Sequence, residues 1–169
     1  IRLSGNRLKR DFANFILLWF KHRSLARKID RQKFDVCLVH PDKLTQAPYL
    51  LRFLTTPSLY FCEELLRICY EKELEFNKDV PAFKKLYEYL TRKVRKIIDY
   101  KNAKSANKIL VASRYVQQKV KTAYGRESSM CPLGVNYHVF KKTSSKRKKE
   151  AKLLFIGEPN EINGFSFAK

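Results

Sequence analysis

The sequence predicts an α/β fold in which a parallel β-sheet is flanked by helices. An apolar run at residues 108–112 is followed by a helical pattern, in which Val116, Val120 and Tyr124 are spaced four apart. A second extended piece comes at residues 128–132. A strand, a helix and a strand in this order favour a parallel sheet, because two parallel strands need a crossover connection between them.

Near the start of the chain, residues 7–30 show a helical pattern with a broad apolar face among Lys and Arg. A helix that packs on a sheet has such a face, and so does a basic helix that lies on an anionic membrane. We favour packing on the sheet and keep membrane contact as the alternative. The apolar face consists of Leu8, Phe12, Phe15, Ile16 and Trp19.

Two further strands are predicted after this helix. Residues 34–40 form a nearly continuous apolar run, which is typical of a strand buried on both faces. Pro41 ends the strand, because proline has no N–H to donate to a sheet. A short helix at 47–54 and a turn at 55–57 lead into the next strand, at 58–62.

The segment from 65 to 104 is predicted to be helical, with a first helix near residues 66–74 and a second one from Pro81 onward. The basic side of the second helix is either a solvated surface or a surface for an anionic acceptor or lipid, and the sequence leaves both open. The apolar side consists of Phe83, Leu86, Tyr87, Leu90, Val94, Ile97 and Ile98. The basic side consists of Lys84, Lys85, Arg92, Lys93, Arg95 and Lys96.

Ser113 and Gly125 bound the helix that contains Val116 and Val120. A serine favours the N-cap position, where its hydroxyl accepts a free backbone N–H. Glycine most readily adopts the left-handed conformation that ends many helices.

We expect residues 1–141 to form one Rossmann-like lobe, 142–151 a basic linker and 152–169 the start of a second lobe. The linker is rich in Lys, Arg, Ser and Thr, and a new apolar run begins at Lys152. Because the sequence begins with Ile1 and its last residues read as an unfinished helix, we expect it to be a piece of a longer protein.

The charge balance is strongly basic, with 36 Lys and Arg against 16 Asp and Glu, a net charge of +20. Such a surface attracts nucleic acid, anionic lipid headgroups or phosphorylated substrates; a basic proteome or an acidic missing partner would give the same balance. The hydrophobic content of 44% excludes global disorder. The longest apolar run, residues 15–20, is far shorter than the roughly 20 residues that span a bilayer.

The four cysteines form no CxxC pair and the three histidines are scattered, so we expect neither a zinc site nor a disulfide framework. Reduced thiols favour a cytoplasmic protein. The basic helices leave open that this protein contacts a membrane peripherally. Nucleic acid binding is an alternative that the charge permits, but no helix-turn-helix, zinc-finger or RNP-type signature is present.

Polar residues follow three of the predicted strands. They are His40 and Asp42, Glu63 and Glu64, and Ser113 and Arg114. Ligands of open parallel sheets bind at the carboxyl ends of the strands, because loops and helix N-termini converge there. We therefore expect these side chains to lie along one edge of the sheet.

Several segments in a fixed order resemble glycosyltransferases of family 4 (glycosyl transferases group 1), which have the GT-B fold. In the family the corresponding text reads roughly A-D-x-I-L-x-N-S, then Y-G, then G-V-D and F. Asn107, Ala112 and Asn136 depart from the commonest letters, whereas the spacing and order agree. The segments are residues 103–113, Tyr124-Gly125, residues 132–136 and Phe140.

The resemblance implies the second half of an N-terminal, acceptor-side lobe and the first strand of a C-terminal, donor-side lobe. It implies a hexosyltransferase-type enzyme that moves a sugar from a nucleotide sugar to a glycan or lipid-linked acceptor. No metal or other cofactor is implied. The family's glycine-rich first turn would lie upstream and its acidic E-x7-E segment downstream, so we expect the 169 residues alone to be inactive.

Residues 57–67 resemble a P-x-x-Y-Y-C-H/Q-E-P-x-R stretch of some family members. Glu64 and Arg67 match it, whereas Glu63 stands where His or Gln is usual and Leu65 replaces Pro. The resemblance places Glu63 opposite the reacting sugar and makes Glu63 and Glu64 the candidate catalytic residues. Alternatively, Glu64 and Arg67, three apart on a helix, simply pair with each other. The acceptor-side cleft would contain His40, Asp42, Arg67, Ser113 and Arg114.

The donor-side loop departs from the family pattern. Family members often have G-R, followed five residues later by K-G, and the Arg and Lys neutralise the donor diphosphate. Here Gly157-Glu158 and Asn163-Gly164 stand in those places. Since a Glu would repel a diphosphate, either another cation compensates, or the donor sits differently, or catalysis is impaired. A non-catalytic relative of the family is therefore a further alternative.

Overall fold

A computed structural model of the chain describes residues 7–71, 81–140 and 156. Contacts within the chain separate a first unit, Ile1–Leu133, from a second one, Gly134–Lys169. In the second unit the described residues turn at Asn136, whose backbone carbonyl accepts the N–H groups of Val139 and Phe140 at 3.1 and 3.0 Å. The first unit contains all the strands and helices described below.

Four parallel strands form one sheet in the order of the chain. The strands are β1 (Cys37–Val39), β2 (Ser58–Cys62), β3 (Lys108–Val111) and β4 (Ser129–Met130). A connection joins each strand to the next one, and every neighbouring pair is parallel. This arrangement confirms the predicted α/β fold with a Rossmann-like sheet and flanking helices.

The helices confirm most of the predicted elements. The cap at Ser113 is present, since its hydroxyl accepts the N–H of Val116 at 3.2 Å, and Gly125 ends the helix with a φ of 63°. The first helix of the 66–74 segment is shorter than predicted, and its continuation past Glu71 lies outside the described residues. The helices are α1 (Arg7–Arg31), a 3₁₀ turn (Tyr49–Arg52), α2 (Arg67–Tyr70), α3 (Ala82–Ser105) and α4 (Arg114–Tyr124).

One side of the sheet carries the core. Tyr60 of β2 and Ile109 of β3 are buried there against Val120 and Tyr124 of α4 and Leu51 of the 3₁₀ turn. Burying such large side chains stabilises each by about 1.5–3 kcal/mol relative to exposure. The core thus fixes the strands relative to α4 and to the loop after β1.

The prediction that residues 34–40 form a strand buried on both faces is wrong. Only Cys37–Val39 belong to the strand, and the side chains of Phe34, Val36 and Leu38 are all more than half exposed. The reason is that β1 is an edge strand of the described sheet. Since successive side chains of a strand point to opposite faces, only Cys37 and Val39 reach the core.

The side chains that α3 buries are mainly polar. They are Asp99, Asn102 and Ala103, all in the last two turns, whereas Arg95 is half-buried and lies 5.7 Å from the ring centre of Phe15. The predicted basic side of this helix is therefore not uniformly solvated. Its apolar residues, by contrast, are largely exposed.

Asp99 is fully buried and connects three elements. Its Oδ1 accepts the N–H of Ala47 at 2.9 Å, in the loop after β1, and its Oδ2 accepts the hydroxyl of Tyr124 at 2.8 Å, at the end of α4. Asn102 donates to the carbonyl of Ala47 at 2.8 Å. Burial raises the pKa of Asp99 to about 6, and these hydrogen bonds offset only part of that rise.

Arg126 closes the end of α3 at the amino edge of the sheet. Its guanidinium donates to the carbonyls of Lys104, Ala106 and Asn107 at 2.8, 3.0 and 3.1 Å. The side-chain oxygen of Asn107 in turn accepts the backbone N–H of Ser58 at 2.8 Å. These bonds hold the starts of β2 and β3 side by side.

We expect the Asp99→Asn substitution to remove a pH-dependent part of the stability. The native carboxyl, with a pKa of about 6, binds a proton more tightly than the unfolded one, with a pKa of 3.8. The native state therefore holds more protons between these values, and this part of the stability is lost as the pH rises. The wild-type advantage over Asp99→Asn in the free energy of unfolding should fall by about 2 kcal/mol between about pH 4 and about pH 7.

Urea unfolding of both proteins at the two pH values measures this difference. An advantage that stays constant, or that grows with pH, would contradict the buried and protonatable state of Asp99.

Candidate functional site

The carboxyl ends of the parallel strands bring His40 and Glu63 together. His40 follows β1 and Glu63 follows β2, and their Nδ1 and Oε1 atoms lie 3.6 Å apart. The His40 ring also lies against Phe61, with the ring centres 5.6 Å apart. Both polar side chains are more than half exposed, so the pair adds little to stability and is open to a ligand.

Beside Glu63 lies a cavity of about 320 Å³ between the end of β2, α2 and the first turns of α4. Its volume falls at the lower end of the range of roughly 300–1,000 Å³ that is typical of small-molecule sites. Its wall combines carboxylates, cations and aromatic rings over a largely apolar surface, which suits a ligand with both polar groups and apolar faces. The lining residues are Glu63, Glu64, Leu65, Arg67, Tyr70, Glu71, Tyr115, Val116 and Lys119.

Arg67 is held in this wall by Glu71. The guanidinium Nε donates to Glu71 Oε2 at 2.8 Å, one helical turn along the chain, and this hydrogen bond raises the pKa of Arg67. The pairing of Arg67 with Glu64 on one helix does not occur, because α2 begins at Arg67. Glu64 instead accepts a hydrogen bond on its backbone carbonyl from Gln46 Nε2 at 3.0 Å.

Asp42 and Ser113 lie at the predicted edge, but their side chains are engaged locally. Asp42 accepts the N–H groups of Leu44 and Thr45, each at 2.7 Å, and the Thr45 hydroxyl at 2.5 Å. Ser113 caps α4, and Arg114 is the exposed first residue of that helix. Asp42 therefore shapes the loop after β1.

The sequence patterns did not indicate four residues of the cavity wall, Tyr70, Glu71, Tyr115 and Lys119. Tyr115 and Lys119 are four apart on the first turns of α4, and the Lys119 ammonium lies 5.3 Å from the ring centre of Tyr115. Their position just after the Ser113 cap is the signal that could have identified them, because helix N-termini at this edge border ligands.

The predicted donor-side residues Gly157, Glu158, Asn163 and Gly164 lie outside the described residues. So do the predicted linker at 142–151 and all of the lobe predicted at 152–169 except Ile156. In the described part of the chain, no group of three or more His, Cys, Asp or Glu side chains is placed to hold a metal ion. None of the helices described is long and apolar enough to cross a membrane.

Comparison with known proteins adds no relative. No family model, no curated protein and no solved structure matches this chain.

We expect Ser113→Ala to act on stability. The substitution removes the acceptor for the Val116 N–H and should lower the free energy of unfolding by about 1 kcal/mol. Ser113→Thr, which keeps a capping hydroxyl, is the control and should stay within a few tenths of a kcal/mol of wild type. Chemical denaturation measures both, and an Ala variant as stable as wild type would contradict the cap.

Proposed function

We propose that this chain forms the acceptor side of a glycosyltransferase that moves a sugar from a nucleotide sugar to a glycan or lipid-linked acceptor. The observation that carries the proposal is the His40–Glu63 pair beside a cavity, at the carboxyl edge of a parallel sheet. Ligands of open α/β sheets bind at this edge. The ordered segments that resemble family 4 glycosyltransferases give this site its chemical interpretation.

The cavity wall has groups that suit a sugar. The carboxylates of Glu63, Glu64 and Glu71 accept hydrogen bonds from hydroxyl groups, and Lys119 donates them. Tyr115 offers an aromatic ring against which the C–H face of a sugar packs. A wall that combines polar groups with aromatic surface suits a carbohydrate, which presents both hydroxyl groups and C–H faces.

In this proposal Glu63 acts on the acceptor hydroxyl. A bond forms between the acceptor oxygen and the anomeric carbon while the bond from that carbon to the diphosphate oxygen breaks, and the nucleoside diphosphate leaves with the electron pair. The acceptor proton passes to the Glu63 carboxylate, and His40, 3.6 Å away, orients that carboxylate. Closure of the donor-side lobe stabilises the departing diphosphate electrostatically, with no metal required.

Binding of nucleic acid is the second candidate, and the net charge of +20 favours it. Contacts to phosphates provide most non-specific affinity for nucleic acids. A gel shift with duplex and single-stranded nucleic acid at near-physiological salt distinguishes the candidates. Tight binding there, with no response to nucleotide sugars, would favour the second candidate.

We expect nucleotide sugars to stabilise the full-length gene product. The full-length protein is used because, under this proposal, most of the donor pocket lies beyond the 169 residues. A donor present at about 100 times its Kd stabilises the native state by about 2.7 kcal/mol, which raises the melting temperature by several degrees. Thermal unfolding is measured with a panel of nucleotide sugars and with the matching nucleoside diphosphates. No stabilisation by any donor, together with no turnover, would reject sugar transfer.

Glu63→Gln should lower kcat of the full-length enzyme about 10²-fold or more, because the amide cannot accept the acceptor proton. The matched control is Glu127→Gln. Glu127 is likewise an exposed carboxylate in an ion pair, 2.9 Å from Lys121, but it precedes β4 at the opposite edge of the sheet.

Steady-state kinetics with donor and acceptor varied separately measures the effect. Equal turnover of wild type and Glu63→Gln, or an equal loss in both variants, would contradict the role of Glu63.

A further inference from the structure

Helix α3 presents a continuous apolar stripe to solvent. Its members recur every three or four residues and therefore share one side of the helix. All five side chains are between 48% and 71% exposed. This surface, named the α3 stripe below, consists of Phe83, Leu86, Leu90, Val94 and Ile97.

The outward direction of the α3 stripe follows from what the helix buries. Asp99 comes two residues after Ile97 and is therefore rotated by about 200° around the helix axis. Asp99 and Asn102 point inward, where they bond to Ala47 and Tyr124. Rotating the helix to bury the stripe would break these bonds and expose the core, so the exposure of the stripe is a consequence of the fold.

The exposed charged side chains of α3 are all positive. Exposed lysines accompany the stripe, whereas the helix has only two acidic residues, of which Glu88 is half-buried and Asp99 is buried. The exposed lysines are Lys84, Lys93, Lys96, Lys101 and Lys104.

We propose that the α3 stripe docks this protein on the surface of a membrane that contains anionic lipids. An apolar stripe flanked by lysines, on a helix that lies along the outside of the fold, inserts its apolar side chains at the headgroup boundary while the lysines contact anionic headgroups. This inference is independent of sugar transfer.

Charge complementarity selects a membrane over the other occupants. A second copy of the chain would bring two +20 proteins together through surfaces bordered by lysines, which repel each other. A nucleic acid would neutralise the lysines and leave the five apolar side chains in water. An anionic lipid surface satisfies both the lysines and the apolar stripe.

The first test measures sedimentation of the full-length protein with vesicles, in the absence of any nucleotide sugar. The vesicles are phosphatidylcholine alone or phosphatidylcholine mixed with phosphatidylglycerol. We expect the protein to bind the mixed vesicles, and we expect this binding to weaken with added salt. Binding to phosphatidylcholine alone should be much weaker. No binding to the mixed vesicles at low salt would overturn the proposal.

The second test separates the α3 stripe from the rest of the basic surface. The double variant Leu86→Ser with Leu90→Ser should bind the mixed vesicles at least about 10-fold more weakly, since it removes apolar surface while keeping every lysine. The control is Leu133→Ser, because Leu133 is an exposed leucine outside α3 and should bind as wild type does. The proposal would be overturned if the double variant bound the mixed vesicles as tightly as wild type, or if the control lost as much vesicle binding as the double variant.

A folding control accompanies both variants. An unchanged far-UV circular dichroism spectrum and an unchanged melting temperature of each variant show that the fold is retained. Sedimentation velocity tests whether a second copy of the chain covers the stripe instead. If the wild type is a dimer that does not bind vesicles, and the double variant is a monomer, the occupant is a second copy and the membrane proposal is wrong.

Discussion

The buried carboxylate of Asp99 is the interaction on which the arrangement of the described structure depends. It bonds to the backbone of Ala47 and to the hydroxyl of Tyr124, so that one side chain of α3 holds both the loop after β1 and the end of α4. A buried polar group that lost these partners would cost about 1–3 kcal/mol. The bonds therefore select one rotation of α3 about its axis, and that rotation decides which side of the helix meets solvent.

The same loop connects the core to the candidate site. It runs from His40 to Ala47, and it is shaped by Asp42 and fastened to the end of β2 through the bond from Gln46 to the Glu64 carbonyl. Because the loop is held at both ends, His40 stays beside Glu63 although their direct contact is solvent-exposed. The geometry of the site is thus set by the bonds that hold this loop, and its polar groups remain available for a ligand.

The sequence predicted the strands and helices that are specified by residues close together in the chain. Strand β2 lies at the predicted residues 58–62, and α4 has its cap at Ser113 and its left-handed glycine at Gly125, because these features depend on neighbouring residues. The rotation of α3 could not be predicted, since periodicity shows which residues share a side but not which side packs. That choice depends on Ala47, 52 residues away from Asp99. The edge position of β1 was missed for the same reason, because it depends on which strands are paired.

The most direct test of the account is the solvent accessibility of methyl groups in solution. In a protein with labelled Leu, Val and Ile methyl groups, a soluble paramagnetic chelate speeds the relaxation of those that it can approach. We expect strong relaxation enhancement at Leu90, Val94 and Ile97 and little at the buried residues Ile109 and Val120. Protection of all three α3 methyl groups to the level of Ile109 in the monomeric protein would show that α3 turns its apolar side inward, and it would contradict the central role of Asp99.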